Sequence, residues 1–328
     1  MDKCNSEIMK PIGGYFEIEE EGLGIYPHKN GLQLNTGRNA LEHILRSISN
    51  IECIYIPYYT CEVVLEPIKK LHIPYNFYHI NELLEIEDKI VLGKNEYIIV
   101  NNYFGIKDYY IEKIASIYKE NLIIDCAQAF FQPILQEAKM FYSTRKFVGV
   151  PDGGVAYNFQ DSKFEDYETD DSSDRLKHLY IRKEYGPEAG FNIYKDNEKK
   201  LDNIGIRKMS NFTRNLLQKI DYASIIEKRR KNYEYLHSKL KEINKLLLPD
   251  SSSFVCPMVY PYYTNDNNLK AKLIENKIFV ATYWPNVLRW CNTEDIEYKL
   301  VNNIITIPID HRYTIEDMDR VIKLISIL

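Results

Sequence analysis

The chain has 328 residues, of which 45% are hydrophobic and 27% charged, a composition typical of a globular protein with a sizeable core. Its formal net charge of −5 gives no basic footprint of the kind that binds nucleic acid or an anionic membrane. No segment approaches the roughly 18 unbroken apolar residues of a membrane span, and the N-terminal residues lack the apolar core of a signal peptide.

The six cysteines and seven histidines are scattered along the chain. The cysteines stand at positions 4, 53, 61, 126, 256 and 291, without a CxxC pair. This spacing favours free thiols in a reducing cytoplasm over a disulfide scaffold or a zinc site. No histidine cluster has a familiar metal-ligand spacing, so we expect no metal.

The predicted elements begin with GGYFEIEEEG, within the first thirty residues, which is consistent with an edge strand. In LQLNTGRNALEHILRSI a turn precedes a helix, whose apolar residues recur at helical spacing. Apolar runs then alternate with amphipathic segments: ECIYIP, CEVVLEPIKKL, YNFYHI, EYIIVNNYFG, YIEKIASIYKE and NLIIDCA. This alternation predicts an α/β domain with a largely parallel sheet between helices.

The second half of the chain predicts a smaller α+β domain. The polar, acidic segment 161–175 predicts a solvated loop, and a long helical pattern covers roughly 207–245. Strands are predicted in SFVCPMVYPYY, KIFVATYW and NIITIPI, and a closing helix begins at Thr314 as N-cap. We therefore divide the chain into an N-terminal segment with an edge strand (1–30), a large α/β domain (31–215) and a small C-terminal α+β domain (216–328).

A candidate anion-binding loop lies at 35–39, directly before the first predicted helix. Backbone N–H groups at a helix N-terminus bind anions, Gly37 permits close approach, and Arg38 adds positive charge. Asn39 lies in the same first turn. An ordinary turn with an N-cap explains the same residues equally well.

Two titratable residues stand in apolar surroundings. Asp125 ends the apolar run NLIID, where a carboxylate is costly without a cationic or hydrogen-bonding partner. Lys146 lies in FYSTRKFVGVPDGG, among aromatic and apolar residues that desolvate its amine, and the following turn 151–154 allows tight passage of the backbone. A helix cap for Asp125 and a surface position for Lys146 are the alternatives.

Together these features match the needs of one cofactor, pyridoxal phosphate. It has a phosphate to hold, a pyridine nitrogen to keep protonated and an aldehyde to capture on an amine. The loop at 35–39, Asp125 and Lys146 supply one group for each.

The motifs NTGRNAL, IYIPYYTCEVV, LIIDCAQA, STRKFVGVPDGG and TIPIDHRYTIEDM also resemble a known family. They are similar to fold-type-I pyridoxal-phosphate enzymes, and in particular to the DegT/DnrJ/EryC1/StrS sugar aminotransferases, from about Gly13 to the end of the chain. The resemblance implies that Lys146 is the Schiff-base lysine and Asp125 the pyridinium partner. It places Gln128 near the cofactor hydroxyl and assigns Ser143 to the phosphate.

Three positions depart from the family pattern. Cys61 stands where an aromatic residue often stacks on the cofactor ring. The family's serine, five residues before the lysine, is Phe141 here, with a hydroxyl at Ser143 instead. The family's Gly-Tyr-Asn segment is matched only loosely by Gly190-Phe191-Asn192.

The resemblance implies an aminotransferase that moves an amino group from glutamate to a keto-sugar nucleotide, in surface-polysaccharide or related biosynthesis. It also implies a homodimer with the site at the interface. Candidate residues of the substrate pocket are Tyr58, Tyr59, Asn102, Tyr103, Tyr283, Trp284 and Arg312. Other chemistry on the same cofactor (a lyase, dehydratase or racemase) and a non-enzymatic binding protein stay open.

Overall fold

The computed structural model describes residues 9–159 and 167–326. Its α-helices are α1 (Gly37–Ser47), α2 (Leu65–Lys70), α3 (Asp108–Tyr118), α4 (Lys177–Tyr185), α5 (Pro187–Lys200), α6 (Asn211–Leu217), α7 (Tyr222–Leu240), α8 (Leu269–Glu275), α9 (Val287–Trp290), α10 (Ile296–Asn303) and α11 (Ile315–Ser326). Its strands are β1 (Ile12–Gly13), β2 (Leu32–Leu34), β3 (Cys53–Pro57), β4 (Tyr75–Tyr78), β5 (Glu96–Asn101), β6 (Leu122–Cys126), β7 (Lys139–Ser143), β8 (Gly154–Tyr157), β9 (Val259–Tyr263), β10 (Ile278–Phe279) and β11 (Ile304–Pro308). One-turn 3-10 helices lie at Glu62–Val64, Tyr103–Gly105, Lys119–Asn121, Ser173–Arg175 and Ser251–Ser253.

A seven-stranded sheet forms the centre of the fold, in the order β2-β8-β7-β6-β5-β3-β4. All neighbouring pairs are parallel except those that involve β8, which is antiparallel to both β2 and β7. The other six strands therefore run in one direction, and their carboxyl ends meet at one edge of the sheet. Ligands of open α/β sheets bind at this edge.

Both faces of the sheet are buried, which explains the continuous apolar runs of its strands. On β5, Ile99 belongs to a cluster with helices α1 and α2, whereas Ile98 and Val100 face the opposite cluster, which includes α3. Successive side chains of a strand point to opposite faces, so neither face can be polar. The predicted α/β architecture with a mainly parallel sheet is confirmed.

The C-terminal part adds a second, antiparallel pair of strands, β9 and β11. The N-terminal strand β1 pairs with β10, so the first described residues pack against the C-terminal part of the chain. The domain boundaries at residues 30 and 215 stay a prediction. No helix in the described ranges is long and apolar enough to cross a bilayer.

Several local predictions need correction. The helical pattern at 207–245 is two helices, because the Asp221 side chain caps a new helix by accepting from the Ser224 N–H at 3.0 Å. The segment 161–175 is not solvated throughout: residues 161–166 lie outside the described ranges, but Asp170 and Arg175 are buried as an ion pair at 2.6 Å. Strands β7 and β8 and helices α4 and α5 were not predicted.

Candidate active site

The predicted site residues gather at the carboxyl edge of the central sheet. Asp125 is the fourth residue of β6, and Ser143 ends the neighbouring strand β7. Lys146 follows β7 by three residues, and Gly37 begins α1 after β2. Residues separated by more than 100 positions in the chain thus share one edge, as the parallel topology requires.

Asp125 is a buried acid with one backbone hydrogen bond to its carboxylate. Its side chain is 8% exposed, and its Oδ1 accepts a hydrogen bond from the Ala127 N–H at 2.7 Å. Burial raises the pKa of Asp125, while the positive charge of Lys146 and the Ala127 hydrogen bond oppose that shift. A second cation beside this carboxylate, such as a protonated ring nitrogen, is therefore electrostatically favoured.

Lys146 lies in a tight turn between β7 and β8. The Thr144 carbonyl accepts from the N–H groups of Phe147 and Val148 at 3.0 and 3.1 Å, which closes the turn around the lysine. Lys146 is half-buried, whereas Phe147 and Val148 are fully buried. Within the described ranges its amine makes no hydrogen bond, and it acts electrostatically on Asp125. The amine is thus available for covalent chemistry.

The two glycines behind this turn are sterically required. A Cβ on Gly153, whose φ is +128°, would lie 2.2 Å from Thr144 Oγ1. A Cβ on Gly154 would lie 2.2 Å from the Thr36 carbonyl oxygen and 2.6 Å from the Gly37 nitrogen. Tight passage of the backbone at Gly153-Gly154 agrees with the prediction from the sequence, and it brings β8 against the start of α1.

Asp152 anchors the same segment, a role that the sequence did not reveal. Its fully buried carboxylate accepts hydrogen bonds from the Ser210 N–H and hydroxyl, both at 2.7 Å, and from the Thr213 hydroxyl. Burial raises the pKa of this carboxyl. The contact joins the lysine segment to the start of α6, although nothing in the sequence near residue 152 identifies Ser210 as its partner.

The N-terminus of α1 lies beside Ser143. Thr36 caps the helix by accepting from the Asn39 N–H at 3.1 Å. A Cβ on Gly37 would lie 3.5 Å from Ser143 Cβ, so Gly37 and the Ser143 side chain are neighbours. The positive end of the helix dipole and a hydroxyl therefore converge, as an anion-binding site requires.

The side chains of Arg38 and Asn39 are engaged with other residues, so only their backbone is left to contribute to this site. Arg38 forms ion pairs with Glu66 at 2.5 Å and with Asp202 at 3.0 Å. The Asn39 amide donates to Asn35 Oδ1 at 2.7 Å and to a backbone carbonyl at 2.9 Å. The backbone of the first helical turn, together with Ser143, remains as the candidate anion site.

Arg145 lies on this side of the site. It forms an ion pair with Glu198 of α5. Burial lowers the pKa of Arg145, and Arg38 and Arg175 act in the same direction, so three guanidinium groups lie near one another. In the sequence, only the position of Arg145 next to Lys146 indicated that it lies near the site.

Gln128 has a buried hydrogen-bond donor that lacks an acceptor in the described part of the chain. Its Oε1 accepts from the Phe104 N–H at 2.9 Å, whereas its Nε2 is buried and has no hydrogen-bond partner in the described part of the chain. A buried donor without a partner costs free energy of about 1–3 kcal/mol, which an acceptor on a bound group can recover. A cofactor hydroxyl oxygen, as implied by the family resemblance, fits this position.

Cys61 directly precedes the one-turn helix Glu62–Val64 and is half-buried. Its thiol acts electrostatically on the Tyr283 hydroxyl, so the two groups are close. Burial raises the pKa of Tyr283, and Arg229 opposes that shift. The Tyr283 ring is 6.2 Å from the Phe104 ring, centroid to centroid, which links Cys61 to the surroundings of Gln128.

The polar groups of Asn102 and Tyr103, two of the candidate substrate residues, are engaged within the fold. The Asn102 amide donates to Asp108 at 2.6 Å and to Gln132 at 2.8 Å, and its oxygen accepts from the Lys107 N–H. The Tyr103 hydroxyl donates to the Tyr59 carbonyl at 2.8 Å, and both residues are buried. Their polar groups are committed to the fold.

The remaining pocket candidates are also packed or paired. Arg312 forms ion pairs with Asp310 at 2.7 Å and Glu17 at 2.8 Å, so its charge is already neutralised. The Tyr58 ring stacks on Phe77, and the buried Trp284 packs against Tyr59, whose hydroxyl has no partner in the described ranges. The assignment of these residues to a substrate pocket stays a prediction.

Comparison with solved structures supports the fold. CalS13 from Micromonospora echinospora, a sugar aminotransferase, is 15% identical with a TM-score of 0.59, over 90% of this chain and 86% of that chain. NtdA from Bacillus subtilis, solved with the cofactor PMP bound, is 16% identical with a TM-score of 0.62, over 89% and 72%. A DegT/DnrJ/EryC1/StrS aminotransferase from Brucella abortus is 15% identical with a TM-score of 0.59, over 92% and 86%. No protein-family model and no curated protein matches the chain.

Proposed function

We propose that this chain is a pyridoxal-phosphate-dependent aminotransferase. The observation that carries the proposal is the convergence, at one sheet edge, of the Lys146 amine, the Asp125 carboxylate and the N-terminus of α1 beside Ser143. The shared fold of sugar aminotransferases supports it. The unpartnered Nε2 of Gln128 fits the same cofactor.

Each residue has a role in that chemistry. When bound, the cofactor withdraws electrons from the α-carbon of the amino donor. Lys146 would hold the cofactor covalently through Nζ, and its free amine would move a proton to and from that α-carbon. Asp125 keeps the ring nitrogen protonated, because an opposite charge at hydrogen-bond distance favours the cationic form. The first turn of α1 and the Ser143 hydroxyl hold the phosphate.

We further propose glutamate as the amino donor and a keto-sugar nucleotide as the acceptor, in surface-polysaccharide or related biosynthesis. The sugar aminotransferases among the structural neighbours support this choice. The proposal includes a homodimer, for which a dimeric mass by light scattering at working concentration is the expected result.

The test is the visible absorption spectrum of the purified protein during titration with pyridoxal phosphate, followed by L-glutamate. We expect a band from cofactor bound through a lysine, its loss on addition of glutamate, and one equivalent of 2-oxoglutarate. Lys146→Ala should abolish both the band and the turnover, whereas Lys29→Ala, which removes an exposed lysine, should change neither.

Asp125→Ala should still bind some cofactor, because the phosphate and Lys146 contacts remain, but it should lose most of the activity. Normal activity in this variant would rule out the role assigned to Asp125. In the wild type, a band that glutamate leaves unchanged would favour another donor or another reaction of the same cofactor. No band in the wild type would move the binding-protein alternative forward.

A further inference from the structure

Arg229 of α7 contacts the turn that carries Lys146. Its side chain is almost fully buried, at 1% exposure, and its guanidinium carbon lies 4.7 Å from the centre of the Phe147 ring. Its Nη2 donates to the Phe147 carbonyl at 3.3 Å. One planar group therefore holds both the ring and the carbonyl of the residue that follows the lysine.

The other end of the guanidinium reaches the segment before β9. Nη1 donates to the Met258 carbonyl at 2.9 Å. No carboxylate of the described residues lies within ion-pair distance of Arg229, although Asp310 and Glu19 act on it electrostatically. A buried cation bonded mainly to carbonyls is costly, which indicates that its position serves more than stability.

We propose that Arg229 is a positioning residue that fixes the turn of Lys146 for proton transfer at the substrate α-carbon. This inference rests on the proposed function. Two contacts on Phe147 set both the orientation of the peptide plane and the place of the ring, so the adjacent lysine cannot rotate freely. A displacement of about 1 Å at a reacting group can lower a rate by about a hundredfold.

Arg230 provides a matched control on the same helix. It donates to the carbonyls of Phe254 at 2.7 Å and Val255 at 3.2 Å, so it also ties α7 to the segment before β9. Its contacts do not include Phe147. Loss of either arginine removes a tether between α7 and that segment, but only loss of Arg229 frees the lysine turn.

The experiment compares Arg229→Met, Arg229→Lys and Arg230→Met by steady-state kinetics with glutamate. For Arg229→Met we expect kcat to fall by roughly ten- to a hundredfold while KM changes less than about threefold, because the substrate contacts remain. Arg229→Lys should recover part of kcat, since the charge stays and the planar stacking is lost. Arg230→Met should stay within about twofold of wild type.

A second measurement, hydrogen exchange in the cofactor-free protein, does not depend on the proposed reaction. Amides of 147–149 should exchange faster in Arg229→Met, or in Arg229→Lys if the methionine variant does not fold, than in Arg230→Met. Equal exchange in the variants of both arginines would overturn the inference, as would equal kcat values. If the wild type shows no cofactor band, the proposed function and the catalytic part of the inference are overturned. If exchange at 147–149 is nevertheless faster only in the Arg229 variant, the contact between Arg229 and the lysine turn is still supported.

Discussion

The close approach of β8 to the start of α1 gives a sharp test of the candidate anion site through Gly154→Ala. The new methyl group would lie 2.2 Å from the Thr36 oxygen and 2.6 Å from the Gly37 nitrogen, both of which are backbone atoms. Since Cβ contacts below 3.0 Å essentially never occur, the two segments must separate by about 0.8 Å. Overpacking of this kind costs about 1–3 kcal/mol.

The separation moves the first turn of α1 relative to Ser143, so it should weaken phosphate binding as well as stability. A loss of 1.4 kcal/mol corresponds to about tenfold in affinity, and we expect at least that for pyridoxal phosphate. The assay is a cofactor titration by calorimetry, combined with thermal unfolding of the cofactor-free protein.

Gly205→Ala is the matched control. A Cβ at Gly205 has no heavy atom within 4 Å, yet the carbonyl of this residue accepts from both Asn35 and Asn39 beside the same helix N-terminus. The control should bind the cofactor as the wild type does. If Gly154→Ala binds as tightly as Gly205→Ala, the N-terminus of α1 is not the phosphate site.

Two further predictions concern buried acids and bases. Burial lowers the pKa of His28 to about 4 and raises that of Asp108 to about 6. The contribution of His28 to the free energy of unfolding, about 3 kcal/mol, is therefore present above pH 6.5 and lost as the pH falls through about 4. The contribution of Asp108 to the same free energy is lost as the pH rises through about 6. In urea unfolding from pH 7 to 4, His28→Gln should reduce the acid loss of stability and Asp108→Asn should increase it; parallel curves would contradict both shifts. Asp152→Asn should lower the unfolding free energy by about 1–3 kcal/mol, because one carboxylate oxygen that accepts from Ser210 or Thr213 becomes a donor, and an unchanged urea midpoint would refute that.

The central sheet was predictable where a strand is apolar throughout. The runs that became β3, β5 and β6 lie between amphipathic segments, and burial on both faces leaves that pattern in the sequence. β7 was missed because it begins with Lys139 and leads directly into Thr144-Arg145. The Lys139 amine donates to the Glu120 carbonyl at 2.6 Å, a contact that no local pattern announces.

The candidate site was also only partly predictable from the sequence. Asp125 and Lys146 could be proposed as site residues because each residue type is costly or unusual in its local surroundings. The ion pairs of Arg38 and Arg312 could not be predicted, because no local pattern marks their partners: Arg38 pairs with Glu66 and Asp202. A sequence shows that a charge is present, but pairing across the fold decides whether it is available to a ligand.

The contacts that hold the lysine turn in place also come from distant parts of the chain. The Gly149 N–H donates to Glu19 Oε2 at 3.0 Å, Asp152 holds the start of α6, and Arg229 holds Phe147. These partners lie between 58 and 130 residues from the turn in the chain. The reactive amine is therefore supplied by one short segment, whereas its position depends on contacts from three separate parts of the chain. Since those contacts do not touch the amine itself, their loss should reduce the rate of proton transfer before it abolishes cofactor capture, which is the order of effects that distinguishes positioning from binding.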